Sequence, residues 1–163
     1  MTSKRTLLIL PCTDQKPYSK SRTWSYVQQK LAPWREYIDI AAIDCIANPA
    51  DGKPFGLVME WEEWKTQGLD ERPSRDKITP LQRRVQERLD EINGKYCQIV
   101  AYINVKSYWE VLWKLRRRYH IRMLPRVFHN GENWKSSIAG VSPRGAFYKY
   151  VRELTITLSH RYS

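Results

Sequence analysis

The chain has 163 residues, 42% of them hydrophobic and 28% charged, a size that suits one domain with a substantial core. That balance excludes a disordered tail or a collagen-like fibre. The longest apolar runs, Leu7 to Leu10 and Ile40 to Ile43, fall far short of the roughly 20 residues that cross a bilayer, so no membrane partner is expected. Lys plus Arg number 28 against 17 Asp plus Glu, a net charge of +11 that makes a polyanion, nucleic acid first, a natural partner.

The charged start, Lys4-Arg5, is followed by too few apolar residues for a secretory segment before Pro11, which leads us to expect a cytoplasmic protein. Cys12, Cys45 and Cys97 form no Cys-x-x-Cys pair, so free thiols are expected, with no disulfide framework, metal site or cofactor.

In chain order, Thr6 to Leu10 is a continuous apolar run ended by Pro11, the pattern of a strand buried on both faces. A polar loop follows from Cys12 to Ser21. Trp24, Val27, Gln28 and Leu31 then recur at helical spacing until Pro33. Tyr37 to Ile43 reads as a second strand, ending at Asp44-Cys45. The turn-rich stretch Asn48 to Gly56 reads as loop, with a short strand or turn through Leu57 to Glu60, and Arg72-Pro73-Ser74 as connector. Residues 48–78 are therefore expected to be an irregular insertion.

Thr79 as N-cap and Pro80 in the first turn open a helix whose stripe is Leu81, Val85, Leu89 and Ile92, stopped by Asn93-Gly94. Cys97 to Ile103 reads as a strand and Ser107 to Tyr119 as a helix. Ile121 to Phe128 reads as a strand that Pro125 demotes to an edge or a bulge. A last helix is expected from about Pro143 to Leu158. Strands alternating with helices predict a single α/β domain over residues 1–163. Its expected architecture is a three-layer sandwich, with a mostly parallel central sheet of four to five strands flanked by helices.

Ligands of such sheets bind beyond the carboxyl ends of the strands. The loops expected on that rim are Pro11 to Ser21, Asp44 to Asn48, Asn104 to Lys106 and His129-Asn130-Gly131. The first gathers Cys12, Asp14, Lys16, Tyr18 and Ser21. A thiol beside lysines favours the thiolate, which makes Cys12 a candidate nucleophile; a small buried Cys at a strand end is the plainer reading of the same residue. Asn104, His129 and Asn130 are placed to read the edge of an extruded base. Asn130-Gly131 is also a turn signal, and Asp44 is equally ambiguous.

Charge is unevenly distributed. Between Glu60 and Asp76 acidic residues prevail, whereas Lys106, Lys114, Arg116, Arg117, Arg118, Arg122 and Arg126 face only Glu110. This predicts a basic face for phosphate contacts, interleaved with Tyr108, Trp109, Trp113 and Tyr119 as stacking rings. Trp109 and Trp113 also share a helical stripe with Leu112, which makes them core candidates first. His120 and His160 lie beside charged helix ends and read as surface residues.

The pattern Pro-Cys-x-x-x-Lys-Pro-Tyr-x-x-Ser, carried by Pro11, Cys12, Lys16, Pro17, Tyr18 and Ser21, resembles the signature of the core domain of archaeosine synthase, a tRNA-modifying enzyme related to the tRNA-guanine transglycosylases. The close likeness covers about eleven residues. A His usually follows three residues after the Ser, and this chain has Trp24 there. The resemblance implies tRNA as a partner, free lysine as co-substrate, and amine addition to the nitrile of a cyano-deazaguanine base, giving an amidine. Because 163 residues leave no room for the family's RNA-binding module, the resemblance implies recruitment of tRNA by a partner enzyme or by this domain's own basic face, and a homo- or hetero-oligomer is expected. Fitted to that chemistry, Cys12 would form a thioimidate, Lys16 would tune the thiol or hold a phosphate or carboxylate, Asp14 would take a proton or bind an amine, and Tyr18 would stack on or hydrogen-bond the base. Two other classes remain open. One is a nucleic-acid-binding module without chemistry. The other is a base-excising hydrolase of uracil-DNA-glycosylase-like architecture, in which Asp14 would activate water.

Overall fold

The computed structural model describes residues 4–12, 21–69, 78–92, 94–124 and 151–162. Their elements run β1 (Thr6–Pro11), α1 (Arg22–Leu31), a 3-10 helix (Ala32–Tyr37), β2 (Ile38–Ala47), β3 (Pro54–Met59), a second 3-10 helix (Glu60–Thr66), α2 (Ile78–Ile92), β4 (Gln98–Tyr102), α3 (Lys106–Tyr119), β5 (Ile121–Leu124) and α4 (Val151–Arg161). The strands form one sheet in the order β3-β2-β1-β4-β5, parallel except for the β2–β3 pair.

Every residue of β1 is buried, as an apolar run in the centre of a covered sheet requires. Its side chains alternate between two cores. Leu7 and Ile9 pack with Leu81, Val85 and Leu89 of α2 and with Leu112 and Leu115 of α3. Leu8 and Leu10 pack with Trp24, Val27 and Leu31 of α1 and with Leu154 and Leu158 of α4. Helices thus cover both faces, and the architecture is the three-layer α/β sandwich that the sequence predicts.

Several expectations need correction. Residues 48–69 are not irregular: after a turn closed by the Asn48 carbonyl, which accepts from Gly52 at 2.7 Å, the chain returns as β3. β3 is an edge strand that starts at Pro54, the position where a missing N–H is tolerated. Gly56 lies in the left-handed region at φ +78°, and a Cβ there would stand 2.7 Å from Cγ of Arg84 and 3.1 Å from the Val85 nitrogen. A glycine that reads as loop is therefore the contact through which β3 lies against α2. β2 continues to Ala47 rather than ending at Asp44-Cys45, with an irregularity in its pairing between Asp44 and Ala47.

Helix α2 already includes Ile78, so Thr79 and Pro80 occupy its first turn and Thr79 is not the cap. β4 starts at Gln98, one residue after the expected Cys97, and ends at Tyr102, whose successor Ile103 still bonds to the Leu124 carbonyl. α3 begins at Lys106 and α4 runs to Arg161, beyond the expected Leu158. β5 occupies the edge opposite β3, as Pro125 suggested, and its described part ends at Leu124.

Candidate functional site

β1 connects through α1 to β2 on one side, and its other neighbour is β4, which connects through α3 to β5 on the far side. The strand order therefore reverses between β1 and β4, and the crevice beyond their carboxyl ends is the usual ligand position in open α/β sheets. Cys12 leaves β1 there, and Ile103, Asn104 and Val105 lead from β4 into α3. Asn104 is half-buried, and the first turn of α3 carries Tyr108 toward the same rim.

Three side chains from separate segments meet at this point. The Cys12 sulfur lies 3.1 Å from the Tyr108 hydroxyl oxygen. The same oxygen accepts the backbone N–H of Cys45 at 3.4 Å and lies 3.4 Å from the Cys45 sulfur. With that amide filling an acceptor position on the phenol, its single hydrogen serves one sulfur at a time: the O–H is placed to donate to Cys45, and the contact with Cys12 can run in either direction. Burial, with the adjacent Cys12 next, holds the Tyr108 phenol far above the ordinary tyrosine range, so it remains a neutral donor. Cys12 is half-buried and packs at the boundary of both cores, whereas Cys45 is 2% exposed.

The first strand and first helix are tied together beside Cys12. The Ser21 hydroxyl accepts from the Trp24 backbone nitrogen at 3.1 Å and so caps α1, and the Trp24 indole N–H donates to the Pro11 carbonyl at 3.3 Å. Ser21 and Trp24 are both buried. Through Trp24, Pro11 at the end of β1 and Ser21 at the start of α1 are thus held together. Asp44 is fully buried at the irregularity in β2, its Oδ1 accepting the Ile46 N–H at 2.9 Å. Asp14, Lys16, Pro17, Tyr18, Arg126, His129 and Asn130 lie outside the described residues.

The basic face forms on α3. Lys106, Lys114, Arg117 and Arg118 are exposed along one side of the helix with Glu110, and Arg122 is exposed on the edge strand β5. Arg116 is laid over the Trp113 ring at 3.4 Å from its centre, and its Nη1 donates to the Trp113 carbonyl at 2.7 Å. Trp113 stacks on Trp109 at 4.8 Å between ring centres, making an Arg–Trp–Trp column whose inner member is in the core. Arg118 reaches Asp90 of α2 at 3.7 Å.

The expectation that Tyr108 and Tyr119 interleave the basic face as stacking rings is incorrect, because both are buried. The helical repeat turns them inward. Tyr119 donates to Asp90 at 2.5 Å, and burial together with that carboxylate pushes its phenol up to about 12. The residue that sequence reasoning missed is Tyr108 as partner of Cys12. The signal available was its position in the first turn after a rim loop, where a side chain can reach back to the neighbouring strand. His120 caps α3 in the left-handed conformation at φ 54°, and both it and His160 are exposed, as expected.

The opposite edge of the sheet holds a groove of about 460 Å³ lined by Arg5, Asp39, Trp61, Glu62, Arg88 and Tyr96 among others. Its charges neutralise one another: Arg5 pairs with Asp39, and Arg88 with Glu62 at 2.7 Å and Glu91 at 2.7 Å. Among the described residues, no group of three His, Cys, Asp or Glu side chains is placed to hold a metal ion, and no helix is long and apolar enough to cross a membrane.

No family model matches this chain, and no curated protein matches it. It is similar to a crystal structure of AF0587, described as a protein of unknown function, with a TM-score of 0.49 and 20% identity over 72% of this chain and 37% of that one. The chain thus spans little more than a third of that protein's length.

Proposed function

We propose that this chain modifies a base in tRNA, joining an amine, with lysine as donor, to the nitrile of a cyano-deazaguanine. The observation that carries the reading is the half-buried Cys12 sulfur at the end of the central strand, beside the reversal in strand order, with the neutral Tyr108 phenol 3.1 Å away. The likeness of residues 11–21 to the archaeosine synthase signature supplies the substrate class.

A nitrile is a weak electrophile toward an amine at neutral pH, and a thiolate divides the reaction into two easier steps. The Cys12 thiolate adds to the nitrile carbon and the nitrile nitrogen takes a proton, giving a thioimidate; Tyr108 is the donor within reach. The lysine amine then adds to the same carbon. Expulsion of the thiolate leaves an amidine, with no other product. Asp14 and Lys16 retain the proton-transfer and anion-binding roles assigned from sequence. The exposed cations of α3 supply phosphate contacts, and Trp113 under Arg116 keeps one guanidinium flat against the helix surface.

Nucleoside mass spectrometry of tRNA bearing the cyano base, after incubation with the protein and lysine, tests the reading. A mass gain equal to one lysine, absent with Cys12→Ser, is the expected result. The α3 stripe alone also suits a binding module without chemistry. In that case tRNA binding is salt-sensitive and indifferent to Cys12, and no mass is gained. Release of a free base from DNA would instead mark the hydrolase.

A further inference from the structure

We propose that Cys12 and Cys45 form a peroxide-responsive thiol pair, with Cys12 the oxidised sulfur and Cys45 the sulfur that resolves it into a reversible disulfide. Both sulfurs lie within hydrogen-bonding distance of the single Tyr108 oxygen, at 3.1 Å and 3.4 Å, although they come from different strands. Cys12 N–H donates to the Ile43 carbonyl, one step past the Pro11–Ile43 pairing, which places Cys12 diagonally across from Cys45 on the adjacent strand. From strand spacing and rise, that diagonal is about 6 Å between Cα atoms; successive register positions face opposite sides of the sheet, so it is the shared contact with Tyr108, and not the register, that brings the two sulfurs to one side.

Exposure assigns the order of events. Cys12 is half-buried at the rim and so the more accessible of the two, whereas Cys45 is buried. The Cys12 thiolate attacks one oxygen of hydrogen peroxide, so that an S–O bond forms, the O–O bond breaks and the leaving oxygen departs as water, leaving a sulfenic acid. The Cys45 sulfur then attacks the Cys12 sulfur. An S–S bond forms, the S–O bond breaks, and the second water leaves with the proton lost by Cys45. Two thiols and one peroxide thus give one disulfide and two waters. The departing oxygen takes its proton from solvent in the first step and from the Cys45 thiol in the second, while Tyr108, kept neutral by burial, serves both steps as a hydrogen-bonding group. Closure protects Cys12 from irreversible oxidation to the sulfinic acid and blocks its use as a nucleophile until a reductant restores it.

Cys97 is the internal control. It precedes β4 at the other end of the strands, with its sulfur 3.9 Å from the Tyr162 hydroxyl, about 20 Å along the sheet from Cys12.

The experiment treats the full chain with one equivalent of hydrogen peroxide, caps remaining thiols with iodoacetamide and maps peptides without reduction. The expected product is monomeric, lighter by two hydrogen atoms, links the Cys12 and Cys45 peptides, and reverts with dithiothreitol. Cys97→Ser keeps the link. Cys45→Ser instead accumulates a dimedone-reactive sulfenic acid on Cys12 and then the sulfinic acid. The proposal is overturned if the native chain itself accumulates those Cys12 oxides without a link, or if the link joins Cys97 or a second chain. Because the native protein alone reads out the bridge, poor folding of a variant does not remove the test.

Discussion

The Tyr108 hydroxyl and the Cys12 sulfur, 96 positions apart in sequence, lie 3.1 Å from each other at the carboxyl edge of the sheet. A neutral phenol that donates to sulfur stabilises the thiolate more than the thiol. Tyr108→Phe keeps the ring and removes the donor. Alkylation of Cys12 by iodoacetamide at neutral pH is expected to slow several-fold relative to the native protein, followed by mass spectrometry of the Cys12 peptide. The variant also removes the contact between the Cys45 N–H and the phenol, which costs about 1 kcal/mol of stability in denaturant titration. Unchanged alkylation would remove Tyr108 from the chemistry of this thiol.

Trp24 combines two contributions that substitutions separate. Its ring is 1% exposed in the core beneath β1, and its indole N–H bonds to the Pro11 carbonyl at 3.3 Å. Trp24→Phe loses the hydrogen bond and part of the volume, whereas Trp24→Ala loses the whole ring, for about 3–5 kcal/mol. The order Ala below Phe below native is expected in urea unfolding. Trp24→His is expected to fall below native as well, because a polar imidazole replaces a large apolar body in this core.

Much of this arrangement is legible in the sequence, and the reasons for the remainder are physical. β1 declares itself because a strand covered on both faces needs an unbroken apolar run, and α1 and α2 because each buries one stripe. β3 does not declare itself. Its opening Pro54 and its Gly56 are both turn formers, and only the approach of α2 at Arg84 and Val85, a contact between residues nearly thirty apart, explains why a glycine stands in a strand. Cys12 after β1 and Asn104 after β4 were legible at the carboxyl ends of the strands, whereas Asp44 to Ala47, expected there as loop, is strand. That Tyr108 faces inward to two sulfurs, rather than outward among the cations, depends on where α3 packs, which spacing alone leaves undetermined between neighbouring faces of the helix.

Gly56→Ala tests that account of β3. The new methyl would meet the Arg84 side chain at 2.7 Å and backbone atoms of Arg84 and Val85 at 3.1 Å, at a φ of +78° that favours glycine. The Arg84 side chain can move and the helix backbone cannot, so a loss of about 1–3 kcal/mol is expected. Gly52→Ala, where nothing lies within 4 Å although φ is also positive, isolates the backbone part and should cost less. Equal losses for both would mean that contact with α2 is not what fixes Gly56.

Asp39 makes the stability of the opposite edge pH-dependent. Burial pushes its carboxyl upward, but hydrogen bonds from Arg5 and Tyr96 and the charges of Arg5 and Arg35 outweigh it and hold the group below the usual carboxylate range. The folded state therefore binds this proton less readily than the unfolded chain. The resulting stability is present above the ordinary aspartate value of about 3.9 and is lost as pH falls through the lower folded value. Asp39→Asn should reduce unfolding free energy at pH 7 by about 1 kcal/mol, a modest figure because Arg5 is largely solvated. The gap to the native protein should close in more acidic buffer, as read from paired denaturation curves at pH 7 and pH 3.

The basic side of α3 offers a measurement that separates phosphate contacts from general charge. Lys114 and Arg117 are exposed and share a face, and Arg116 is committed to Trp113. If both exposed cations neutralise phosphates on bound tRNA, Lys114→Ala with Arg117→Ala should weaken binding and lower the slope of log affinity against log salt by about 2, since each contact releases close to one counterion. A control pair at Arg83 and Arg84 on α2 removes the same net charge from a different surface and should leave that slope nearly unchanged. Fluorescence anisotropy over a salt series distinguishes the two. Equal slope changes in both double variants would assign the affinity to the overall charge of +11 rather than to this face.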